Sequence, residues 1–520
     1  MTSPAEAAQG KSRFPLPLQL LLAALAGAAH VLAFAPYNLW PLQFLLLMLF
    51  FAMLLHRPSI RRTAWISMAF GFGWFAFGVS WLYVSMHRYG GMPSWLAALA
   101  VVLMALLLAS FVAIMMVAAE WLRRRAAVPR LGMLLLVLPA SFALGEWLRA
   151  WVFTGFPWIA SGYAHSDSPL IGYAPLLGVY GVGWLAALTA GGLLAARAQW
   201  RVLALPLLIV GAGAWLSSVQ WTTPFGKPLS VRLLQGNVPQ DLKFDADHLR
   251  ASLTQYHVLI TAAPADLIAT PETAIPAFPG VLPPDYLPTL QEFARRSGSA
   301  VALGMPIFDS EKRYSNSLLG LSPDGAQYRY DKSHLVPFGE FVPFGFRWFV
   351  DTMRIPLGDF TRGAPLQAPF PVRDQRVLPN ICYEDLFGEQ IAAHLRTPQP
   401  ATILLNISNI AWFGDTIALP QHLQASRMRA VETGRPMLRA TNTGATAIVD
   451  ARGRVQSQLK PFTAGVLSDA VQGTSGMTPF IRYGNYAIVS LCLSILGATL
   501  FFGRGRRVTP DSAPGTHKTR

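Results

Sequence analysis

The chain has 520 residues, 52% of them hydrophobic and only 13% charged, with a mean hydropathy of +0.37. That balance excludes an ordinary soluble protein, and the length leaves room for roughly two to four domains. The net charge of +15 invites a nucleic-acid partner. However, Trp221 to Phe480 holds 23 Lys and Arg against 22 Asp and Glu, so the excess lies in the flanks. No basic patch with interleaved aromatics is present, and a nucleic-acid-binding function is excluded.

Seven long apolar runs precede residue 220: Leu16–Phe34, Leu39–Leu55, Ala64–Ser85, Trp95–Ala119, Leu131–Trp151, Leu170–Ala196 and Val202–Val219. An eighth is Tyr486–Phe502. A helix needs about 20 apolar residues to cross the hydrocarbon core, so the pattern predicts a membrane α-helical bundle of eight spans. The second run is short, and the fifth carries Glu146 and Arg149 near its end. The first resembles a signal peptide but lacks a small-residue cleavage site, and six more spans follow before the domain, so it is read as retained.

Sixteen cations fall on one set of loops, from Lys11 and Arg13 through Arg123-Arg124-Arg125 to the last residues; the alternate loops hold only Arg88 and Arg149. The asymmetry places the cation-rich side in the cytoplasm. The expected organisation is then a seven-span membrane domain over 1–220 and an extracytoplasmic domain over 221–480. The eighth helix follows over 481–503 and a cytoplasmic basic tail over 504–520. The expected location is a bacterial inner membrane, with the domain on the periplasmic side.

Glu146-Trp147-Leu148-Arg149 leads into Thr154-Gly155-Phe156-Pro157-Trp158. Ionisable residues at that depth are expensive and often functional; an interfacial ion pair beside an aromatic anchor is the competing reading. Cys492 falls within the eighth span, out of reach of Cys382, so no disulfide is predicted.

Between the seventh and eighth runs, strands and helices alternate. Val231–Val238, Leu267–Thr270, Ala300–Met305, Ser317–Leu321, Gln327–Tyr330, Val377–Ile381, Thr402–Ile407 and Thr446–Val449 read as strands. Asp247–Thr261, Asp285–Arg296 and Gln421–Thr433 read as helices. The alternation predicts an α/β domain with helices covering sheet faces. Polar residues collect just past strand ends: Glu272, then Lys332 with Glu340 beyond it, then Cys382-Tyr383-Glu384. Such positions can converge on one sheet edge. A buried, inert thiol is the competing reading of Cys382, but an unpaired cysteine in an oxidising compartment is unusual.

Each residue type has chemistry to offer. The thiolate is the reactive form of cysteine, and a neighbouring carboxylate such as Glu272 can take its proton. The Lys332 ammonium is expected to lower the thiol pKa and to face the oxyanion of a tetrahedral intermediate, with the Tyr383 backbone N–H as a second donor. No metal or cofactor is called for.

Pro271-Glu272-Thr273-Ala274, the run from Asp331-Lys332 to Gly339-Glu340, and Cys382-Tyr383-Glu384 resemble the Glu-Lys-Cys site of the carbon–nitrogen hydrolase (nitrilase) superfamily. With the spans, the Thr154–Trp158 stretch, Gln235-Gly236-Asn237-Val238-Pro239-Gln240 and Trp412-Phe413-Gly414, the chain resembles the bacterial apolipoprotein N-acyltransferase family nearly end to end. The resemblance implies a nitrilase-like αββα sandwich over about 229–470 and ping-pong acyl transfer. A phospholipid would acylate Cys382, and the α-amine of a diacylglyceryl-cysteine on an apolipoprotein would take the chain. Glu272 would be the base and Lys332 the oxyanion partner, with Glu340, Tyr383 and Glu384 in support. Two positions depart from the family pattern: Phe244 where Trp is usual, and Ile410 where an acid is common.

Both substrates keep their chains in the bilayer, so the site must lie near its surface. Phe341 to Val350 is rich in aromatic and branched residues, more than a solvated loop needs. We expect a lid there, with Phe341, Phe344 and Trp348, joined by Trp412, contacting acyl chains; packing against the protein's own core is the competing reading. A membrane-tethered amidase passing the acyl group to water is the alternative function, and a non-enzymatic transporter or receptor a more distant one. The protein is expected to act as a monomer.

Overall fold

The computed structural model describes residues 15–241, 246–309, 313–342, 347 and 360–503. Each apolar run is helical. Leu16–Ala33, Ser94–Arg125, Arg130–Arg149, Pro169–Ala196 and Tyr486–Gly503 are long and apolar enough to cross a membrane. Ile60–Gly78 with Leu82–Tyr89, bent by 58°, is a further candidate, whereas Trp40–Leu55 and Trp200–Leu216 are shorter. Helices pack closely where glycine permits it. A Cβ on Gly27 would lie 1.9 Å from the Phe70 carbonyl oxygen, and one on Gly73 as close to that of Ala24, so helices Leu16–His30 and Ile60–Gly78 meet backbone to backbone.

The remainder is a four-layer αββα sandwich. One sheet orders its strands Gly465–Val471, Leu229–Gln235, Leu267–Ala269, Ala300–Phe308, Tyr314–Leu321 and Gln327–Asp331. The other runs Val455–Gln458, Ala447–Val449, Met437–Thr441, Ile403–Ser408, Gln375–Ile381 and Phe370–Val372. Each sheet has three parallel strands flanked by antiparallel ones. Period-two alternation builds the layers. Leu267, Ala269, Ala300 and Ala302 face Ile403, Leu405, Ile407 and Leu438 between the sheets. Ile268, Val301 and Leu303 turn outward onto helices Ala246–Thr261 and Tyr286–Ser297. Leu404 and Met437 do the same toward Gly388–Leu395 and Ala418–Thr433.

The central strand Met437–Thr441, interrupted by Arg439 and Thr441, escapes the sequence reading, and so do the edge strands Phe370–Val372, Val455–Gln458 and Gly465–Val471. The edge strands are short or carry polar residues on a solvated side, which dilutes the apolar signal. The sandwich sits on the helical bundle through one shared apolar cluster, which Tyr383, Leu386, Phe387, Ala425 and Met428 join from the domain side. Both cysteines are free, and Cys492 is buried in the Tyr486–Gly503 helix.

Candidate active site

Parallel strands bring their carboxyl ends to one rim, and residues just beyond them face a common crevice. Glu272 follows Leu267–Ala269, Lys332 follows Gln327–Asp331, and Cys382 follows Gln375–Ile381. The two sheets meet at this rim: the Asn409 backbone N–H, past Ile403–Ser408, donates to Glu272 Oε2 at 2.8 Å.

Lys332 is 1% exposed and lies between two carboxylates. Its Nζ is 3.3 Å from Glu272 Oε1 and 2.8 Å from Glu340 Oε1. Asn316 Nδ2 donates to the same two oxygens at 2.7 and 3.0 Å, and the Val336 N–H donates to Glu340 Oε2 at 2.9 Å. Burial opposes the lysine's charge, but Glu272 and Glu340 outweigh it and hold its pKa above the ordinary value. Lys332 is therefore a fixed ammonium at neutral pH.

The Cys382 thiol lies within electrostatic reach of Glu272, Lys332 and Glu340. Burial pushes the thiol up, the Glu272 charge adds to this, and Lys332 pulls the other way, leaving the pKa at about 12. The expected lowering by Lys332 is thus outweighed by burial first and by the Glu272 charge second. The resting group is a thiol, and its proton must leave as attack proceeds. Cys382 has φ of 53°, a left-handed conformation uncommon for a non-glycine residue. Asn406 Nδ2 holds its carbonyl oxygen at 3.1 Å.

Glu384 is a tie between loops. Its Oε1 accepts from the Ser333 N–H and hydroxyl, both at 2.7 Å, and from the His334 N–H at 3.0 Å. Its Oε2 accepts from Tyr330 OH at 3.0 Å and the Ile381 N–H at 2.7 Å. The lysine loop is thereby locked to the cysteine turn. Tyr383 OH donates to the Gly155 carbonyl at 2.6 Å, joining that turn to the helical bundle. His334 Nε2 bonds the Thr154 carbonyl at 3.0 Å; burial lowers its pKa to about 4, so the ring is neutral. Beneath the turn, fully buried Asp385 pairs with His422 at 2.7 Å and Arg439 at 2.8 Å.

Phe341 is half-buried, with the Arg362 guanidinium 5.0 Å over its ring. Trp412 sets its edge against Tyr89 at 5.9 Å. Phe344, Trp348 and Phe244 lie outside the described residues. Ile410 is fully buried in the turn Ile410–Phe413, where an apolar side chain fills space. Asn316, the Asn409 amide and His334 were not singled out from sequence. Asn316 sits between Ser315 and Ser317 in the polar first half of the strand Tyr314–Leu321, and that polar, buried stretch is the signal that marks it.

Residues 26–192 match the family described as the apolipoprotein N-acyltransferase N-terminal domain, and residues 230–479 match carbon–nitrogen hydrolase. A Ralstonia nicotianae protein named apolipoprotein N-acyltransferase is 51% identical over 496 residues, covering 94% of this chain and 93% of its own. A Chromobacterium violaceum protein of the same name is 44% identical over 498 residues, covering 94% of each. Among solved structures, a carbon–nitrogen hydrolase superfamily protein from Xanthomonas campestris aligns at 18% identity and a TM-score of 0.36, covering 53% of this chain and 97% of that one.

Proposed function

From the premise that this chain belongs to the apolipoprotein N-acyltransferase family, we propose that it transfers its acyl group through a thioester on Cys382. The enzyme N-acylates lipoproteins, and that role implies a phospholipid donor and a lipoprotein acceptor. Glu272 takes the thiol proton as sulfur attacks the ester carbonyl of the phospholipid. The tetrahedral oxyanion faces the Lys332 ammonium and the Tyr383 N–H, which starts the turn Cys382–Leu386 and so has no helical partner of its own. Collapse expels the lysophospholipid alkoxide, which Glu272 protonates. The α-amine of the diacylglyceryl-cysteine then attacks the thioester carbonyl. Glu272 takes the amine proton and returns it to the departing sulfur, leaving an amide.

The observation that carries this reading is one buried cluster in which Lys332 bridges Glu272 and Glu340 against the thiol. We place eight crossings around the domain, with residues 221–480 outside the cytoplasm, between membrane parts 1–220 and 481–503 and ahead of the basic tail 504–520. The cation asymmetry of the loops and the need of both substrates for a site at the bilayer surface support this arrangement. Phe341, Phe344, Trp348 and Trp412 are assigned to acyl-chain contact, and the enzyme acts as a monomer.

Incubating the purified enzyme with labelled phospholipid and no acceptor tests the chemistry. One hydroxylamine-sensitive acyl group on the peptide holding Cys382, discharged by a diacylglyceryl peptide, is expected. Cys382→Ser should fold yet lose transfer, since a hydroxyl is far less acidic than a thiol. Rapid release of free fatty acid would favour hydrolysis, and full activity of the serine variant would refute the thioester.

A further inference from the structure

A guanidinium buried among apolar helices calls for an explanation. Arg149 ends the helix Leu138–Arg149 and is 2% exposed. Glu146 lies 3.8 Å away, beyond hydrogen-bond range, and its Oε1 accepts from the Ser161 N–H at 2.7 Å. Glu146 balances the charge without taking the arginine's donors. Arg149 Nη1 instead donates to the carbonyls of Phe156 and, at 2.9 Å, of Trp158. The Arg149 carbonyl accepts from the Phe156 N–H at 2.9 Å. These bonds close a loop in which Phe153, Thr154 and Gly155 have φ of 56°, 73° and 88°. Two are non-glycine residues in the left-handed region, so the surroundings must hold the loop in shape. Its outer side offers two carbonyls to the domain: Gly155 to Tyr383 OH, and Thr154 to His334. Tyr383 adjoins Cys382, and His334 is two residues beyond Lys332.

We propose that Arg149 is a positioning residue for acyl transfer. Its guanidinium fixes the 154–158 loop, and the loop fixes the turns that carry Cys382 and Lys332. Arg149 touches no reacting atom. The helical bundle therefore completes the geometry of the site in addition to holding it at the membrane. This inference rests on Cys382 as the nucleophile.

A double-mutant cycle on the full-length enzyme in proteoliposomes tests it, with Arg149→Lys, Tyr383→Phe and the double variant. Arg149→Lys keeps the charge opposite Glu146 and loses the forked reach. The readouts are kcat and KM for transfer from phospholipid to a diacylglyceryl peptide. Each single change is expected to lower kcat about tenfold or more with KM nearly unchanged. The double variant should be no worse than the weaker single, because both cut the same chain of contacts. Losses that multiply in the double variant, or a change confined to KM, would overturn the proposal. If Arg149→Lys fails to fold, the neutral pair Glu146→Gln/Arg149→Met enters the same cycle and is read the same way. Activity surviving in Cys382→Ser would sink the thioester reading, whereas multiplied losses sink only the role of Arg149.

Discussion

At the scale of single residues, the site is a contest over one proton. Cys382 sits at about 12 because burial, and then the Glu272 carboxylate, disfavour the thiolate more than Lys332 favours it. A carboxylate that raises the thiol's pKa is also the group that removes its proton, so base and nucleophile are coupled. Glu272→Gln should separate these effects. With Cys492→Ala present so that one thiol reports, the ultraviolet titration of Cys382 should move to lower pH. Acyl transfer should meanwhile fall about 10²–10⁴-fold. A titration midpoint that stays in place would mean that Glu272 does not face the sulfur. Asn316 works on the same problem from the other side: by donating to Glu272 and Glu340 together, it keeps both acids turned toward the ammonium.

At the scale of elements, three segments are pinned to one another by short polar contacts. The loop after Gln327–Asp331 is tied to the turn Cys382–Leu386 by the three bonds that Glu384 accepts from Ser333 and His334, and the strand itself by the bond from Tyr330. That turn is tied to the 154–158 loop by Tyr383. Gly155 is the most constrained backbone position in this chain of contacts. A Cβ there would fall 1.9 Å from the Ala150 carbonyl oxygen, and its φ of 88° suits glycine alone. Gly155→Ala should still insert, because the helices themselves are untouched. Its kcat should drop at least about tenfold, equivalent to about 1.4 kcal/mol of barrier. Wild-type turnover in that variant would show that the loop does not position the cysteine turn.

At the scale of the whole molecule, a catalytic sandwich rides on a helical bundle through a continuous apolar contact. The orientation proposed for it is open to labelling. A cysteine at Val281, which is 70% exposed on the sandwich, should react with a membrane-impermeant maleimide in intact cells. One at Arg125, exposed at the end of Ser94–Arg125, should react only after permeabilisation. The reverse pattern would refute the topology. The amino-acid sequence alone determined that helices would form where the apolar runs are, since bilayer-length hydrophobicity is a local property. It also placed Glu272, Lys332 and Cys382 past strand ends, since strand periodicity and its interruption are local too. Only the tertiary structure decided which carboxylate each donor meets. Glu384, expected in a supporting role, is a tie that accepts five hydrogen bonds. Glu146 and Arg149 read from sequence either as functional ionisable residues or as an interfacial ion pair; the pair stands at 3.8 Å, and Arg149 grips a loop as well. The reason is range: hydrophobic pattern is written in neighbours a few residues apart. The bonds that aim this site reach across as many as 228 residues, and no local pattern records which of them close.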